Sequence, residues 1–147
     1  MIYDNERILL GLKKRGFGQG RWNGFGGKVD TEETIEQAAA RELQEEAGIT
    51  AINLKPRGMI RFTFENEPDT QLEVNIFTAF EFTGEPTETE EMRPQWFMHS
   101  EIPYSEMWVD DQYWLPLILA GKNVKGRVHF DAPSTQVILE NKIEEYV

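Results

Sequence analysis

The sequence predicts an α/β fold, an α/β/α sandwich with a central mixed sheet and two main helices. Three observations predict it. Residues 34–47 have the composition of a helix, residues 72–82 alternate apolar and polar side chains as a long strand does, and residues 110–120 form a second helical segment. With 147 residues, the chain fits a single domain, 1–147, that is large enough to bury a core.

The first predicted elements are a strand and a glycine-rich loop. The short apolar run from Ile8 to Leu12 is typical of a buried strand. The glycines of residues 16–27 permit close backbone approach, and Phe17, Trp22 and Phe25 lie between them. We therefore expect a shaped loop with aromatic walls rather than a flexible linker.

The first helix, predicted over 34–47, follows a run of capping and first-turn residues at 30–33 and stops at Gly48, which suits the position just past a helix end. The second helix, over Asp110–Ala120, contains Pro116, so we expect it to begin late or to kink. Further strands are expected at 59–65, 72–82 and 95–98, with two closing strands near 128–130 and 137–139.

Charge and residue content exclude several classes of function. The chain has 26 acidic and 15 basic residues, a net charge of −11, which disfavours binding to nucleic acid. Without cysteine there is no disulfide framework and no thiol nucleophile, and two histidines, His99 and His129, are too few for a His-rich zinc centre. No apolar run reaches ~18 residues. We expect a cytoplasmic monomer without nucleic-acid or membrane partners.

The second half of the first helix places carboxylates on its core-facing stripe. At about 100° per residue, Glu42, Glu45 and Glu46 continue the stripe that Ile35 and Ala38 begin. Partly buried carboxylates repel each other unless cations neutralise them, and oxygen ligands suit Mg²⁺, or Mn²⁺ in its place. A glutamate-rich surface helix is the alternative interpretation of these three residues alone.

The spacing around these glutamates carries a resemblance to a known family. Gly27 is followed after five residues by Glu33, and after seven more by Arg41-Glu42-Leu43-Gln44-Glu45-Glu46-Ala47-Gly48-Ile49. This pattern resembles the complete signature of the Nudix superfamily, G-x5-E-x7-R-E-U-x-E-E-x-G-U, in which U is aliphatic. The Walker A and G-x-G-x-x-G phosphate motifs are absent.

The resemblance implies a Nudix α/β/α fold and hydrolysis of a nucleoside diphosphate derivative at a metal site. Glu33 would fasten the loop or join the outer shell of the metal, and Arg41 would orient Glu45. The residues implied as metal ligands are Glu42, Glu45, Glu46 and Glu91, together with Gly26. Glu46 is the first candidate for the base that takes a proton from water, and Glu91 is the second; Glu42 and Arg41 complete the implied catalytic set.

Segments outside the signature resemble one branch of the superfamily, the animal-type MutT homologues that hydrolyse oxidised purine nucleoside triphosphates such as 8-oxo-dGTP and 2-hydroxy-dATP, a nucleotide-pool sanitation activity linked to DNA repair. These segments run from Lys13 to Gly18, from Arg21 to Val29, from Glu91 to Phe97 and from Met107 to Trp114. The residues implied for base and phosphate binding are Asn23, Asp110, Asp111, Trp108, Phe17, Phe25, Phe64, Met92 and Lys13.

Two of these assignments have alternatives in the residues themselves. Asp110 and Asp111 either read the purine edge, one of them donating as a protonated acid, or cap the second helix. Lys13 either contacts phosphate or solvates the end of a strand. Family members also carry a longer N-terminal strand, whereas only Met1–Glu6 precede the first predicted strand here.

Two rival functions remain at this point. One is another Nudix hydrolase activity, such as cleavage of ADP-ribose or a dinucleoside polyphosphate. The other is a Nudix-fold module that binds nucleotides without catalysis. The intact glutamates of the signature argue against the second rival.

Overall fold

Ten strands and two α-helices form from residues 1–147 in the computed structural model, which confirms the α/β class and the two main helices. The elements are β1 (Ile2–Tyr3), β2 (Arg7–Lys13), β3 (Trp22–Asn23), α1 (Ile35–Ala47), β4 (Thr50–Ile52), β5 (Lys55–Phe64), β6 (Gln71–Thr78), β7 (Glu81–Thr83), β8 (Met92–Met98), α2 (Asp111–Leu119), β9 (Asn123–Phe130) and β10 (Ile138–Tyr146). Neither helix has the length and apolar content that crossing a membrane requires.

The chain divides into two units. The first contains Met1–Lys55 and Phe77–Met107, and the second contains Pro56–Ile76 and Trp108–Val147. Each unit is compact by its own contacts. These contacts do not test the single domain predicted over 1–147, which stays a prediction.

The first unit is built on β2. This strand pairs antiparallel with β1, β3 and β8, while β4 and β7 form a separate antiparallel pair. Leu43 and Ala47 of α1 pack with Leu9 of β2 and with Ile49 in one core cluster, where all four side chains are buried. The packing fixes α1 beside the glycine-rich loop, because Phe25 of that loop packs against the same cluster.

The second unit is a four-stranded sheet with strand order β10-β9-β5-β6 and the helix α2. Strands β5 and β9 run parallel, whereas β9 and β10 run antiparallel, so this sheet is mixed. Alternate residues of β9, Val124, Val128 and Phe130, are buried on one face, as period-two patterning requires.

One predicted strand and one predicted sheet are wrong in detail. The long strand over 72–82 is interrupted: β6 ends at Thr78, and β7 pairs with β4 instead. The reason is a change of partner, since the Ala79 N–H donates to the Met1 carbonyl and the Tyr3 N–H donates to the Ala79 carbonyl. The side-chain alternation continues through the break, which is why periodicity did not reveal it. In place of one central sheet there are two four-stranded sheets and a two-stranded pair.

The predictions for the N-terminal residues and for the start of α2 also need correction. Residues before the first predicted strand do form a strand, because Ile2 and Tyr3 pair with Leu9 and Ile8 of β2. Helix α2 begins at Asp111 and includes Pro116, so the expected late start is wrong.

Candidate active site

Helix α1 is delimited by local signals at both ends. At its start, the Thr34 hydroxyl accepts from the Gln37 N–H at 3.1 Å, and the Gln37 side chain accepts from the Thr34 N–H at 2.8 Å. This reciprocal pair is a capping box. At its end, Gly48 has a left-handed φ of 71° and its N–H donates to the Gln44 carbonyl. The helix thus presents its last two turns, with the glutamates of the signature, in a defined position.

Arg41 holds several carboxylates of the signature at once. Its guanidinium donates to Glu33 at 2.7 Å, to Glu42 at 3.0 Å and to Glu45 at 3.2 Å, and to the carbonyl of Lys28 at 2.9 Å. The hydrogen bond from Arg41 lowers the pKa of Glu33, and the partnership with Glu33 raises the pKa of Arg41. The expected roles of Glu33 as a loop fastener and of Arg41 as an orienting residue therefore have the required contacts.

The three glutamates of α1 differ in burial. The Glu46 side chain is 5% exposed, that of Glu42 16% and that of Glu45 56%. A Cβ at Gly27 would overlap the Glu42 carboxylate, so only glycine leaves room for it there. Burial therefore differs among the three glutamates on the stripe predicted from the helical wheel. The Glu46 side chain is the most buried, and the Glu45 side chain lies at the surface.

Glu46 is a buried carboxylate with a single backbone donor. Its Oε1 accepts from the Gly26 N–H at 2.8 Å, and its Oε2 lies 3.8 Å from Nζ of Lys13. Burial raises the pKa of Glu46 to about 7, with a further contribution from the charge of Glu42, while the Gly26 hydrogen bond opposes the rise. A carboxyl with a pKa near neutrality exchanges protons readily at physiological pH.

Glu91 is tied to Glu46 through a shared lysine. Nζ of Lys13 lies 3.4 Å from Oε2 of Glu91 as well as 3.8 Å from Oε2 of Glu46. Arg15 also donates to Glu91 at 2.5 Å, and this hydrogen bond lowers the pKa of Glu91. Of the two candidate bases, Glu91 is thus the weaker acceptor. Lys13 lies between two carboxylates rather than simply solvating a strand end.

The donor chemistry of this group fits a hard divalent cation. Glu42, Glu45, Glu46 and Glu91 offer only carboxylate oxygens, which Mg²⁺ and similar ions prefer. In the structure the positive charges of Arg41, Lys13 and Arg15 neutralise them, and no three acidic or histidine side chains converge closely enough to hold an ion. The assignment of these residues and Gly26 as metal ligands stays a prediction.

The base-binding candidates of the first unit are Asn23 of β3, Met92 of β8, and Phe17 and Phe25 of the glycine-rich loop. The Asn23 side chain accepts from the N–H of Gly24 at 2.9 Å. Met92 is fully buried, Phe25 is half-buried and Phe17 is 64% exposed. Of these candidates, only Phe17 presents most of its surface to solvent, and their role in binding stays a prediction.

The candidates of the second unit are Phe64, Trp108, Asp110 and Asp111. Phe64 is buried and stacks with Phe130, and Trp108 is half-buried. Both aspartates are only 3% exposed. These four residues are buried to different degrees, and base recognition by them also stays a prediction.

The two aspartates have different partners. Asp110 occupies the N-cap position of α2 without a capping hydrogen bond, because its carboxylate accepts from the Trp114 indole N–H at 2.8 Å. Oδ2 of Asp111 has no hydrogen-bond partner, and burial raises the pKa of Asp111 well above its usual value, with the charge of Asp110 adding to the rise. Burial also raises the pKa of Asp110, although less. The helix-cap interpretation therefore describes the position of Asp110 but not its bonding.

Four contacts were not foreseen from the sequence. Three lie in the first unit, Arg15 with Glu91 and Lys13 with both Glu46 and Glu91, and they join residues more than 30 positions apart, for which the sequence gives no signal. The fourth lies in the second unit, where Trp114 donates to Asp110; it is an i, i+4 pair and could have been inferred once α2 was placed.

Comparison with known proteins identifies the family. The family model of the NUDIX domain matches residues 1–118. The chain is 53% identical to the oxidized purine nucleoside triphosphate hydrolase of Danio rerio and 48% identical to that of Mus musculus, in each case over 145 residues that cover 99% of this chain and 91% of the relative. The crystal structure of a mutator MutT protein from Bacillus halodurans superposes with a TM-score of 0.86 at 24% identity, covering 98% of this chain and 94% of that one, which shows a shared fold. The resemblance drawn from the signature is confirmed, and the chain belongs to the Nudix family.

Proposed function

We propose that this protein hydrolyses oxidised purine nucleoside triphosphates, such as 8-oxo-dGTP and 2-hydroxy-dATP, to the monophosphate and pyrophosphate, and so sanitises the nucleotide pool. The two relatives above, which match nearly the whole chain, bear the name of this activity. The observation that carries the proposal is the buried Glu46, held by the Gly26 N–H and joined through Lys13 to Glu91.

Nudix hydrolases generally use divalent metal ions, and we propose Mg²⁺ here, with Mn²⁺ as a substitute. Glu42, Glu45, Glu46 and Glu91, with Gly26, would hold it. When bound, such an ion offsets phosphate charge and makes a water molecule more acidic. The family relationship and the oxygen-only donor set support this assignment.

In the proposed reaction Glu46 takes a proton from the attacking water. The Gly26 N–H orients one oxygen of Glu46, which leaves the other oxygen, Oε2, to accept the proton. Glu91 is less suited to this role, because Arg15 and Lys13 stabilise its ionised form. Arg41 keeps Glu42 and Glu45 oriented from the side of the loop.

The proposed base recognition in the second unit uses Asp110, Asp111 and Trp108. The raised pKa of Asp111 supports a protonated acid that can donate to the purine edge, whereas Asp110 accepts from Trp114. Oxidation at C8 turns N7 of guanine from an acceptor into a donor, so an acid pair with adjustable protonation suits modified purines. A side chain such as Trp108 would add stacking worth about 1–3 kcal/mol.

The proposal includes a monomeric enzyme in the cytoplasm that acts on free nucleotides and not on nucleic acid. The net charge of −11 supports this choice of substrate, because polyanionic nucleic acid would be repelled. Size-exclusion chromatography coupled to light scattering tests the oligomeric state.

The decisive assay measures pyrophosphate release with Mg²⁺ from 8-oxo-dGTP, 2-hydroxy-dATP, dGTP and ADP-ribose in parallel. We expect the two oxidised purines to have the highest kcat/KM. Glu46→Gln should lower kcat by about 10²–10⁴-fold, the usual contribution of a general base. Glu36→Gln, an exposed position on the same helix, is the matched control and should keep the wild-type rate. A preference for ADP-ribose, or a near-normal rate for Glu46→Gln, would contradict the proposal.

A further inference from the structure

Gly11 lies in β2 at a point where two other side chains occupy the space of its missing Cβ. It pairs in register with Asn23 of β3 on one side and with Pro94 of β8 on the other. A Cβ built on Gly11 would lie 2.7 Å from Cε of Met92 and 2.8 Å from Cε1 of the Phe25 ring. Real Cβ atoms essentially never lie this close to a carbon atom that is not bonded to them, so both side chains pack on Gly11 because it is glycine.

The two neighbours could not yield equally to an added methyl group. Cε of Met92 is the end of a flexible side chain and can rotate away. The Phe25 ring is rigid, and Phe25 also packs against the core cluster that contains Leu43 and Ala47. A methyl group at position 11 would therefore displace the Phe25 ring, and with it the backbone of Phe25.

The backbone after Phe25 holds the glutamates of the site. The next residue, Gly26, donates its N–H to Glu46 at 2.8 Å. The residue after that, Gly27, leaves the space that the Glu42 carboxylate fills. The position of the Phe25 ring on Gly11 thus sets where the Gly26 N–H lies relative to Glu46 and where Gly27 lies relative to Glu42.

We infer that Gly11 is a positioning residue of this enzyme: the packing of Phe25 on its bare Cα places the Gly26 N–H against Glu46. The inference rests on the proposed hydrolase function and extends it to a residue outside the signature. Gly11 itself contacts none of the candidate metal ligands. It acts only through Phe25 and the two glycines that follow Phe25.

The primary test is Gly11→Ala. We expect kcat for 8-oxo-dGTP to fall by about ten- to a hundredfold with a smaller change in KM, because misplacement of a catalytic group by about 1 Å can cost 10²-fold. In ¹H–¹⁵N NMR spectra without metal, the Gly26 amide should shift and lose protection from hydrogen exchange. Gly24→Ala is the matched control, since only the flexible Met1 side chain approaches its Cβ position, at 3.3 Å; we expect it to keep the wild-type kcat and Gly26 resonance.

A second pair of variants separates the Phe25 contact from general damage to the strand. Leucine at position 25 lacks the ring atoms that meet the added methyl group. We expect Gly11→Ala combined with Phe25→Leu to match the kcat of Phe25→Leu alone. In contrast, Gly11→Ala combined with Met92→Ala should keep a lower kcat than Met92→Ala alone. If Gly11→Ala does not fold, restored folding and an equal kcat in the Phe25→Leu background still support the inference.

The outcomes are distinguishable. A wild-type kcat and an unshifted Gly26 amide in Gly11→Ala would overturn the inference, as would rescue by Met92→Ala but not by Phe25→Leu. If the wild-type protein hydrolyses none of the nucleotides, the proposed function fails, while the Gly26 amide still reports whether Gly11 positions it.

Discussion

The two helices of this protein are held at their ends by different means. Helix α1 is closed by residues adjacent to it in sequence, Thr34 with Gln37 at one end and Gly48 at the other. The C-terminal end of α2 is also closed locally, because Ala120, Gly121 and Lys122 donate their N–H groups to carbonyls of the last turns. In addition, Arg57 of β5, about 60 residues earlier in the chain, donates to the carbonyl of Ile118. The caps of α1 are therefore local, whereas α2 adds to its local hydrogen bonds a contact with a distant strand of its own unit.

Arg57 makes several hydrogen bonds at the C-terminal end of α2. This side chain belongs to a residue only 8% exposed, and it donates to the carbonyl of Ile118 at 3.2 Å, to the carbonyl of Lys122 at 2.5 Å and to the side chain of Asn123 at 3.0 Å. A buried cation stabilises a fold only when its donors are satisfied. These three acceptors satisfy the guanidinium and connect β5 to the C-terminal end of α2 and to the start of β9.

The largest effect is expected from Arg57→Ala. Removing the guanidinium leaves three acceptors without their donor and opens a cavity, so the free energy of unfolding should fall by about 2–4 kcal/mol. Urea denaturation measures this change. Arg61→Ala is the matched control on the same strand, because the Arg61 side chain is 45% exposed and pairs with Glu73 at the surface. If Arg57→Ala and Arg61→Ala lowered the free energy of unfolding equally, the contacts of Arg57 at the end of α2 would add nothing to stability.

A pH-dependent effect is expected from Asp111→Asn at the other end of α2. Burial raises the pKa of Asp111 above its ordinary value of 3.8, so the native state keeps a proton that the unfolded chain has already released. The contribution of Asp111 to the free energy of unfolding should therefore fall as the pH rises above about 4, by up to about 1.4 kcal/mol per pH unit. Asparagine does not titrate, so its stability relative to the wild type should be lowest near pH 3 and should increase towards pH 8.

Denaturant titrations from pH 3 to pH 8 check this prediction. Asp69→Asn provides an exposed control within the same unit and should show no such trend. A constant difference between Asp111→Asn and the wild type across the range would mean that Asp111 ionises as freely in the folded protein as in the unfolded chain.

The smallest effect is expected at the local C-cap of α1. Gly48→Ala should lower the free energy of unfolding by about 1 kcal/mol, because alanine is strained at a φ of 71°. The nearest atoms to a Cβ there lie 3.6 Å away, which is ordinary contact, so the cost is one of backbone conformation alone. Gly48→Asn should cost less, since asparagine tolerates this conformation. A loss as large as that of Arg57→Ala would reverse the ranking of the two helix ends.

Features that depend on neighbours in sequence were predicted best. The bounds of α1 were predicted to within one residue and its C-cap glycine was predicted correctly, but the capping residues expected at 30–33 were wrong, because Thr34 caps the helix. The helical repeat put Glu42, Glu45 and Glu46 on one face, but the exposure of Glu45 was not predicted. Most of the longer strands were located from their apolar patterns, but the short strands β1, β3 and β4 and the pairing partners were not. The break at Ala79 was missed because it changes hydrogen bonding without changing the pattern of side chains.

The sequence by itself determined the α/β class, the carboxylate helix and membership of the Nudix family, because periodicity, capping and spacing are properties of short segments. Only the tertiary structure decided that Lys13 joins Glu46 to Glu91, that Arg57 contacts the C-terminal end of α2, and that Phe25 packs on Gly11. Each of these contacts joins residues distant in the chain, and packing and burial create their energies only after the strands have paired.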